Sequence, residues 1–318
     1  MKMMKVKHLF QLILYNIQMA KLFIKNTEGN IDEDRKDYII AVAAHTVEKG
    51  LGCSSYKSGW GREKVIRLLH LIEEYAQNEY NQERFGFSEA IAVVSAYIIH
   101  KNQQGEDISE IELLWNNINK KYLKNIKNYN AGKELILKSD LQVNEEYGEK
   151  LLLTCRSIRN YSDRRVEEQD ILSAIQLASR APSACNRQPV KCYYTLDEKK
   201  IAECDMLVPG NGSIKGQTPN FIVITSSRKY FGLYEYDQWY VNGGIFMGYL
   251  RIALHVRGIG NCIYQWPTNA DETKIKKLYG IPKAEAIIGI MGIGYFPDKA
   301  HCIYAQRKSI EEIAIKAE

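Results

Sequence analysis

The sequence lacks the residue patterns that build metal sites and disulfide frameworks. Its seven cysteines contain no C-x-x-C pair, and its six histidines form neither an H-E-x-x-H motif nor a cluster with cysteine. Structural zinc sites and disulfide-rich folds depend on such closely spaced ligands or paired cysteines. We therefore expect no metal site, and we expect reduced thiols in a cytoplasmic protein.

An excess of one charge is also missing. The net charge is only +5 over 318 residues, and the basic residues are interleaved with acidic ones. Nucleic-acid-binding domains instead gather their basic residues into a patch or stripe. The sequence therefore predicts no nucleic-acid partner.

The sequence also lacks a long, uninterrupted run of apolar residues. The opening stretch, "MKMMKVKHLFQLILYNIQMAKLFIKN", is basic and then apolar. Four polar residues break the apolar part: Gln11, Asn16, Gln18 and Lys21. A membrane span needs about 20 predominantly apolar residues, and a secretory signal needs an unbroken apolar core. We expect an amphipathic helix packed on its own protein or on a dimer partner, with peripheral membrane contact through residues 1–25 as the alternative.

The glycine-rich stretch of the sequence does not match the known nucleotide-binding motifs. The stretch "GNGSIKG" has glycines at 210, 212 and 216, but Lys215 occupies the third glycine position of G-x-G-x-x-G. No predicted strand leads into it, and the G-K-[ST] ending of a P-loop is missing. A turn with positive φ values explains these glycines.

The chain is helical in its first part and alternates in its second. Helical periodicity is found at 34–50, 61–80, 87–102 and 107–128. A polar stretch follows, and we place a domain boundary near residue 145, giving segments 1–145 and 146–318. Helices are then predicted at 146–155, 167–180, 235–257, from Asn269 and at 309–318, and strands at 190–196, 220–226, 259–265 and 286–296. Such alternation favours an α/β or α+β fold.

The stretch "CRSIRNY", residues 155–161, is the first candidate for binding. Arg156 and Arg159, with Ser157 between them, can present two guanidinium forks and a hydroxyl to one anion. Taken alone, the motif is also typical of a helix end whose arginines point into water.

The stretch "APSACNRQP", residues 181–189, is the second candidate. Asn186 and Gln188 each offer hydrogen-bond donors and acceptors, as the rim of a planar heterocycle requires. Pro182 and Pro189 restrict the backbone on either side of them. An ordinary helix-to-strand turn is the alternative interpretation.

The stretch "YAQRKSIEE", residues 304–312, is the third. Arg307 and Lys308 precede a possible helix start, where cations and backbone N–H groups can meet an anion. A charged connector explains the segment equally well in isolation.

Taken together, these motifs resemble a known family. "RSIRNY", "APSACNRQP", "GIGNCIYQ", "IIGIMGIGYF" and "RKSIEE" occur in an order similar to that of the FMN-dependent nitroreductase family, over about residues 146–318. "HTVEKGL" at 45–51 is similar to a segment of nitroreductase-like bacterial proteins with a helical extension. The resemblance implies an α+β fold, a mixed sheet flanked by helices after an all-helical region. It also implies a homodimer with FMN at the subunit interface.

The resemblance assigns roles to individual residues. The FMN phosphate and ribityl chain would be held by Arg156, Ser157 and Arg159. The phosphate would also be contacted by Arg307 and Lys308, near the end of the sequence. The partner subunit would contribute Pro182, Ser183, Ala184, Asn186 and Gln188. Tyr264 and Gln265 would lie beside the flavin ring. Two residues depart from the family pattern: Cys155, where a further Arg is frequent, and Trp266, where Gly or Ser is usual.

The implied function is an FMN-dependent oxidoreductase. It would take hydride from NAD(P)H and reduce a small organic acceptor, nitro- or quinone-like, by a ping-pong mechanism. The cofactor supplies the chemistry, so we assign no catalytic residue. The alternative is a flavin-binding or degenerate protein of the same fold that acts as an assembly partner, which Cys155 and Trp266 favour.

Overall fold

The computed structural model describes most of the chain. It covers residues 2–27, 31–52, 59–123, 130–132, 137, 139, 144–268, 270–303 and 305–317, without the side chains of 2–8 and 213. Cys53 and Asn269 lie outside the described residues, so the helix predicted to begin at Asn269 cannot be compared at that position.

The first part of the chain consists of helices. They are α1 (Lys2–Thr27), α2 (Glu33–Leu51), α3 (Arg62–Gln77), α4 (Phe85–Gln103) and α5 (Ser109–Tyr122). Asp32 caps α2 by accepting a hydrogen bond from the backbone N–H of Arg35. Helices α2 to α5 bury a common apolar core, with side chains such as Leu68, Val94 and Ile111 fully buried. This burial stabilises helices that would be marginal in isolation.

The second part combines helices with a sheet. Its elements are α6 (Glu145–Thr154), α7 (Glu168–Ala178), β1 (Val190–Tyr194), α8 (Glu198–Leu207), β2 (Asn220–Ser227), α9 (Gln238–Val256), β3 (Ile259–Gln265), α10 (Glu272–Tyr279) and β4 (Glu285–Tyr295). The strand order is β1-β2-β4-β3, and every named pair is antiparallel. A parallel bridge joins Ser157 to Asn261 at the β3 edge. The α+β fold predicted from the sequence is confirmed.

Helices cover both faces of the sheet. Alternate residues of β2 point to opposite sides: Ile222 and Ile224 face the cluster formed with α7 and α9, and Phe221 and Val223 face the cluster formed with α8 and α10. Helix α9 approaches the sheet closely at Gly243, where a Cβ would lie 2.4 Å from Cγ1 of Ile288. A glycine is required there because no side chain fits.

Helix α1 packs on its own chain through its C-terminal end. Phe23 is buried against Tyr236 and Trp239, with ring centroids 5.3 and 5.1 Å apart. The apolar residues nearer its start remain exposed: Leu9, Phe10, Leu12, Ile13 and Ile17. Among the described helices, none is long and apolar enough to cross a membrane.

The structure differs from the sequence-based expectations at one predicted helix and at one helix that was not predicted. The helix predicted at 309–318 is wrong, because among the described residues only a 3₁₀ turn forms, at Ile310–Glu312, and the isoleucines of this segment are largely exposed. Helix α8 was not predicted, although Asp197 caps it by accepting from two backbone N–H groups. Its apolar pattern is weak because it buries only Cys204 and Asp205.

Charged contacts attach the helical region to the segment after β2. Lys229 forms ion pairs with both Asp32 and Asp34. Arg35 donates to the carbonyls of Lys229 and Phe231, at 2.8 and 2.7 Å. These contacts bring α2 and α4 beside the loop at 181–189.

Candidate functional site

The basic motif forms an extended segment at the edge of the sheet. After α6 ends, the backbone N–H of Ile158 donates to the carbonyl of Asn261 at 2.9 Å. Ile158 is buried, which fixes the segment on the sheet, while Arg156 and Arg159 are half-buried on either side of it. Ser157 is also half-buried and forms the bridge to Asn261.

The two arginines of this motif are unpaired within the part of the chain that the structure describes. Within the described part of the chain, neither Arg156 nor Arg159 forms an ion pair or a side-chain hydrogen bond. By contrast, the more exposed Arg164 and Arg165 pair with Glu167 and Glu198. Because a half-buried guanidinium is costly without a partner, the motif is suited to an anionic or polar ligand.

Arg156 and Arg307 line the same cavity. This cavity of about 330 Å³ is formed by Leu152, Leu153, Cys155, Arg156, Ala305, Gln306 and Arg307. The structure thus brings together two motifs from opposite ends of the second part. The Arg307 side chain donates a hydrogen bond to the nearby backbone carbonyl of Ala305 at 2.8 Å, which holds it in place. Lys308 is exposed and does not line this cavity.

Arg251 lies beside the off-pattern Cys155. Its Nη2 donates to the Cys155 carbonyl at 2.8 Å. Burial raises the pKa of the Cys155 thiol, although the charge of Arg251 opposes the shift. Helix α9 therefore supplies a guanidinium next to the position where the family pattern has an extra Arg. Sequence reasoning missed Arg251, since nothing local links positions 155 and 251.

Arg159 lines a second, larger cavity with a volume of about 990 Å³. Its walls come from residues 159–166, from α8 and the turn before it, and from 215–220, including the amides of Asn160, Gln217 and Asn220. This volume lies within the range of small-molecule and cofactor sites. Polar side chains on the wall, together with Arg159, which has no partner among the described residues, suit a ligand with both apolar and hydrogen-bonding parts.

Tyr264 lies near this cavity. A Cβ on Gly292 would come within 3.0 Å of its ring and 2.9 Å of Thr218, which lines the cavity. Burial and neighbouring Cys262 raise the pKa of Tyr264 to about 12, and the positive charge of Arg159 opposes this shift. Gln265, at the end of β3, is exposed. Trp266 is half-buried and packs against the cluster around α10 rather than standing free in the cavity.

The loop at 181–189 has a strained backbone. Ala184–Asn186 form a 3₁₀ turn, and φ is positive at Cys185, Asn186 and Gln188, with values of 49°, 52° and 49°. Such conformations are unfavourable for residues other than glycine and persist only where the surroundings hold them. Pro189 is buried, whereas Pro182 is exposed.

Hydrogen bonds hold the loop in this conformation. The backbone N–H of Ala184 donates to Oδ1 of Asn242 on α9 at 2.8 Å. Within the loop, the backbone N–H of Gln188 donates to Oγ of Ser183 at 3.0 Å. Asn242 was not predicted from the sequence, because its role depends on where α9 passes the loop.

The strongest anchor is a residue between the two amides. Arg187 is buried and donates to both carboxylate oxygens of Glu235, each at 2.7 Å. Burial alone would raise the pKa of Glu235, but hydrogen bonds from Arg187 and from the Gly232 N–H hold it below its ordinary value. The Arg187 guanidinium also lies 5.1 Å from the ring of Tyr38 on α2.

The amide of Asn186 contacts the helical region. Its Nδ2 donates to Oε1 of Glu89 on α4 at 2.7 Å, and its Oδ1 accepts from Nε2 of Gln188 at 3.2 Å. Burial raises the pKa of Glu89 to about 7; the Asn186 hydrogen bond opposes the shift, and Glu48 and Asp37 add to it. The sequence did not predict a role for Glu89, because a single acidic residue within an apolar helix belongs to no recognisable motif.

The loop and the basic motif are far apart in one chain. Pro189 pairs with Ser227 at one end of β2, whereas Ser157 pairs with Asn261, which is in register with Asn220 at the other end. The loop precedes edge strand β1, and Ser157 lies outside edge strand β3. From strand spacing and rise, they are separated by roughly 20 Å across the sheet and roughly 20 Å along it.

The chain is similar to nitroreductases. Residues 153–295 match the model of the nitroreductase family. A curated relative from Archaeoglobus fulgidus, named "Putative NADH dehydrogenase/NAD(P)H nitroreductase", is 29% identical over 154 residues, which are 47% of this chain and 86% of the relative.

Solved structures of similar proteins show the same likeness. The nitroreductase family protein from Streptococcus pneumoniae TIGR4 is 23% identical, with a TM-score of 0.46, covering 54% of this chain and 100% of that chain. An FMN-dependent nitroreductase from Clostridium difficile R20291 is 22% identical, with a TM-score of 0.45, covering 53% and 98%. Residues 153–295, which the nitroreductase family model matches, contain the basic motif, the loop and the whole sheet.

Proposed function

We propose that the chain binds FMN and transfers hydride from NAD(P)H to a small organic acceptor of nitro or quinone type. The observation that carries this proposal is the convergence of Arg156 and Arg307 on one cavity, where Arg156 has no other partner in the described chain. Guanidinium groups match phosphate oxygens in a bidentate geometry that lysine cannot provide.

The residues present fit the chemistry of FMN. Arg156 and Arg307 would hold the phosphate, with Ser157 beside them and Lys308 near enough in sequence to add charge. Arg159 lines the larger cavity and Tyr264 lies near it, and this cavity has the size and mixed polarity that a flavin ring needs. Arg159 would place a positive charge at the edge of the bound ring, and Gln265 lies exposed at the end of the same strand.

The loop would reach the flavin from a second copy of the chain. Pro182, Ser183, Ala184, Asn186 and Gln188 lie too far from Arg156 and Arg159 to meet the same ring within one chain. In a homodimer, the loop of one subunit can meet the basic motif of the other. This arrangement explains how both motifs serve one cofactor.

Helix α9 offers a surface for such a dimer. Val241, Ile245, Tyr249 and Val256 are 52, 39, 44 and 52% exposed, at spacings of four, four and seven residues. Residues at these spacings lie on one face of a helix. An exposed apolar stripe of this length is typical of a protein interface.

When bound, FMN supplies the capacity to accept and pass on a hydride. The protein binds the cofactor, excludes water from it and positions donor and acceptor in the same cavity in turn. Shared use of one cavity favours ping-pong kinetics, with parallel lines in double-reciprocal plots. The name of the Archaeoglobus relative supports NAD(P)H as the donor. We assign no catalytic side chain.

The cofactor proposal is tested with arginine variants. We expect Arg156→Ala and Arg159→Ala each to weaken FMN binding by about 10- to 100-fold, because each removes a charge-assisted hydrogen bond to the ligand. Arg164→Ala serves as the matched control, since Arg164 is already paired with Glu167 at the surface. Fluorescence titration with FMN gives the dissociation constants. Equal affinity in all three variants would contradict the proposed phosphate site.

The assembly role remains the competing function. Cys155 replaces an arginine of the family pattern, which favours a weakened cofactor site. Turnover decides between the two functions. A protein that binds FMN but oxidises neither NADH nor NADPH with a quinone or nitroaromatic acceptor supports the assembly role.

A further inference from the structure

Glu89 is a buried carboxylate that the helical region places against the loop. The residue is only 5% exposed. Its Oε1 accepts the hydrogen bond from Asn186, whereas Oε2 is buried without a partner in the described part of the chain. Helix α4 thus brings an incompletely paired acid into direct contact with the amide that was predicted to bind the flavin.

Among the described residues, the charged groups that act on Glu89 are carboxylates, which do not stabilise its ionised form. Two further carboxylates face it from α2, Asp37 and Glu48. Arg84, which precedes α4, forms ion pairs with Asp34 and, at 3.7 Å, with Asp37. His45 lies 3.5 Å from Glu48. A glutamine could accept the same hydrogen bond without the cost of a buried charge, so an acid at this position indicates a role beyond attachment.

The hydrogen bonds of Asn186 determine what Gln188 presents to a ligand. Since Asn186 Nδ2 donates to Glu89, its Oδ1 must face Gln188 and accept from Nε2. Gln188 is exposed and keeps its carbonyl and one N–H available. Without an acceptor at position 89, the Asn186 amide can rotate and exchange its oxygen and nitrogen, which would reorient Gln188.

We propose that Glu89 is a positioning residue for the flavin loop, fixing the Asn186 amide so that Gln188 presents a defined donor and acceptor to the ring. The helical region therefore completes the cofactor site instead of only flanking it. This inference rests on the proposed FMN function. Glu89 acts through Asn186 and does not itself contact the cofactor.

The proposal predicts a pH dependence of cofactor binding. An ionised carboxylate accepts a hydrogen bond more strongly than a neutral acid. The Asn186 amide is therefore held most firmly above the pKa of Glu89, which lies at about 7. FMN affinity should rise by a few-fold between pH 6 and pH 8.

The test compares full-length wild type, Glu89→Ala, Glu89→Gln and Glu110→Gln. Glu110 is a matched control because it lies in the same helical region and pairs at the surface with Arg62. FMN dissociation constants are measured by flavin fluorescence at pH 6 and pH 8, together with urea unfolding of the apoprotein. We expect Glu89→Ala to raise the dissociation constant about 5- to 10-fold at pH 8. Glu89→Gln should restore only part of the affinity, because its amide can donate as well as accept, and it should remove the pH dependence. Glu110→Gln should match wild type at both pH values.

Two results would overturn the inference in distinguishable ways. If wild type binds FMN and Glu89→Ala binds it equally well while unfolding more easily, Glu89 only ties the helical region to the domain. If wild type does not bind FMN, the proposed function fails and the inference fails with it.

Discussion

At the residue scale, polar side chains rather than the prolines anchor the loop. The prolines restrict the backbone, but Asn186 and Gln188 still adopt positive φ values. Arg187 supplies the main restraint through its bidentate pair with Glu235. A conformation that is unfavourable locally is therefore stabilised by tertiary contacts.

We expect Glu235→Ala to lower the free energy of unfolding by about 3 kcal/mol, because it leaves the buried Arg187 charge without its carboxylate. Glu198→Ala removes an exposed partner of Arg165 and should cost less than about 1 kcal/mol. Urea unfolding of both variants measures the difference. Equal effects would show that the Arg187 pair does not anchor the loop.

The residues of the site could be predicted only in part. Arg156, Arg159 and the 181–189 loop lie in short motifs, so their residue types and order identify them. Glu89, Asn242 and Arg251 could not be found this way, because each contacts a residue that is far away in sequence. Their roles arise from helix packing, which no local pattern records.

At the element scale, burial decided which predictions succeeded. Strands β2 and β4 are buried along nearly their whole length, and their continuous apolar sequences predicted them well. The segment 309–318 has a capping box and good helix formers, yet it forms only one 3₁₀ turn. Propensity and a cap do not sustain a short helix when its apolar residues find no surface to pack on.

Close packing of α9 on the sheet predicts a second variant effect. Gly243→Ala should lower the free energy of unfolding by about 1–3 kcal/mol, since its Cβ would collide with Ile288. Gly212→Ala is the control, because nothing lies within 4 Å of a Cβ there. Thermal unfolding compares the two variants. A neutral Gly243→Ala would mean that the helix can move away from the sheet without cost.

At the scale of the whole molecule, the two motifs are separated, and the proposed function requires a second subunit to bring them to one cofactor. The basic motif lies outside β3 and the loop precedes β1, so the four-stranded sheet stands between them. Under the proposed function, a complete site would form only where two chains meet. The exposed stripe of α9 provides the apolar surface that such an interface needs.

We expect a mass in solution about twice the 36.6 kDa of one chain, measured by sedimentation or light scattering. Ile245→Glu places a charge on the exposed face of α9 and should yield monomers with weakened FMN binding. Ile99→Glu, on the exposed surface of α4, is the control and should stay dimeric. A monomeric wild type that binds FMN would contradict the shared site.

The central claim is tested most directly by anaerobic addition of NADH and then NADPH to the FMN-loaded protein, followed by absorbance. The account predicts that the flavin band disappears with at least one donor and returns when a quinone or nitroaromatic acceptor is added. A flavin band unchanged by both donors would contradict the oxidoreductase assignment.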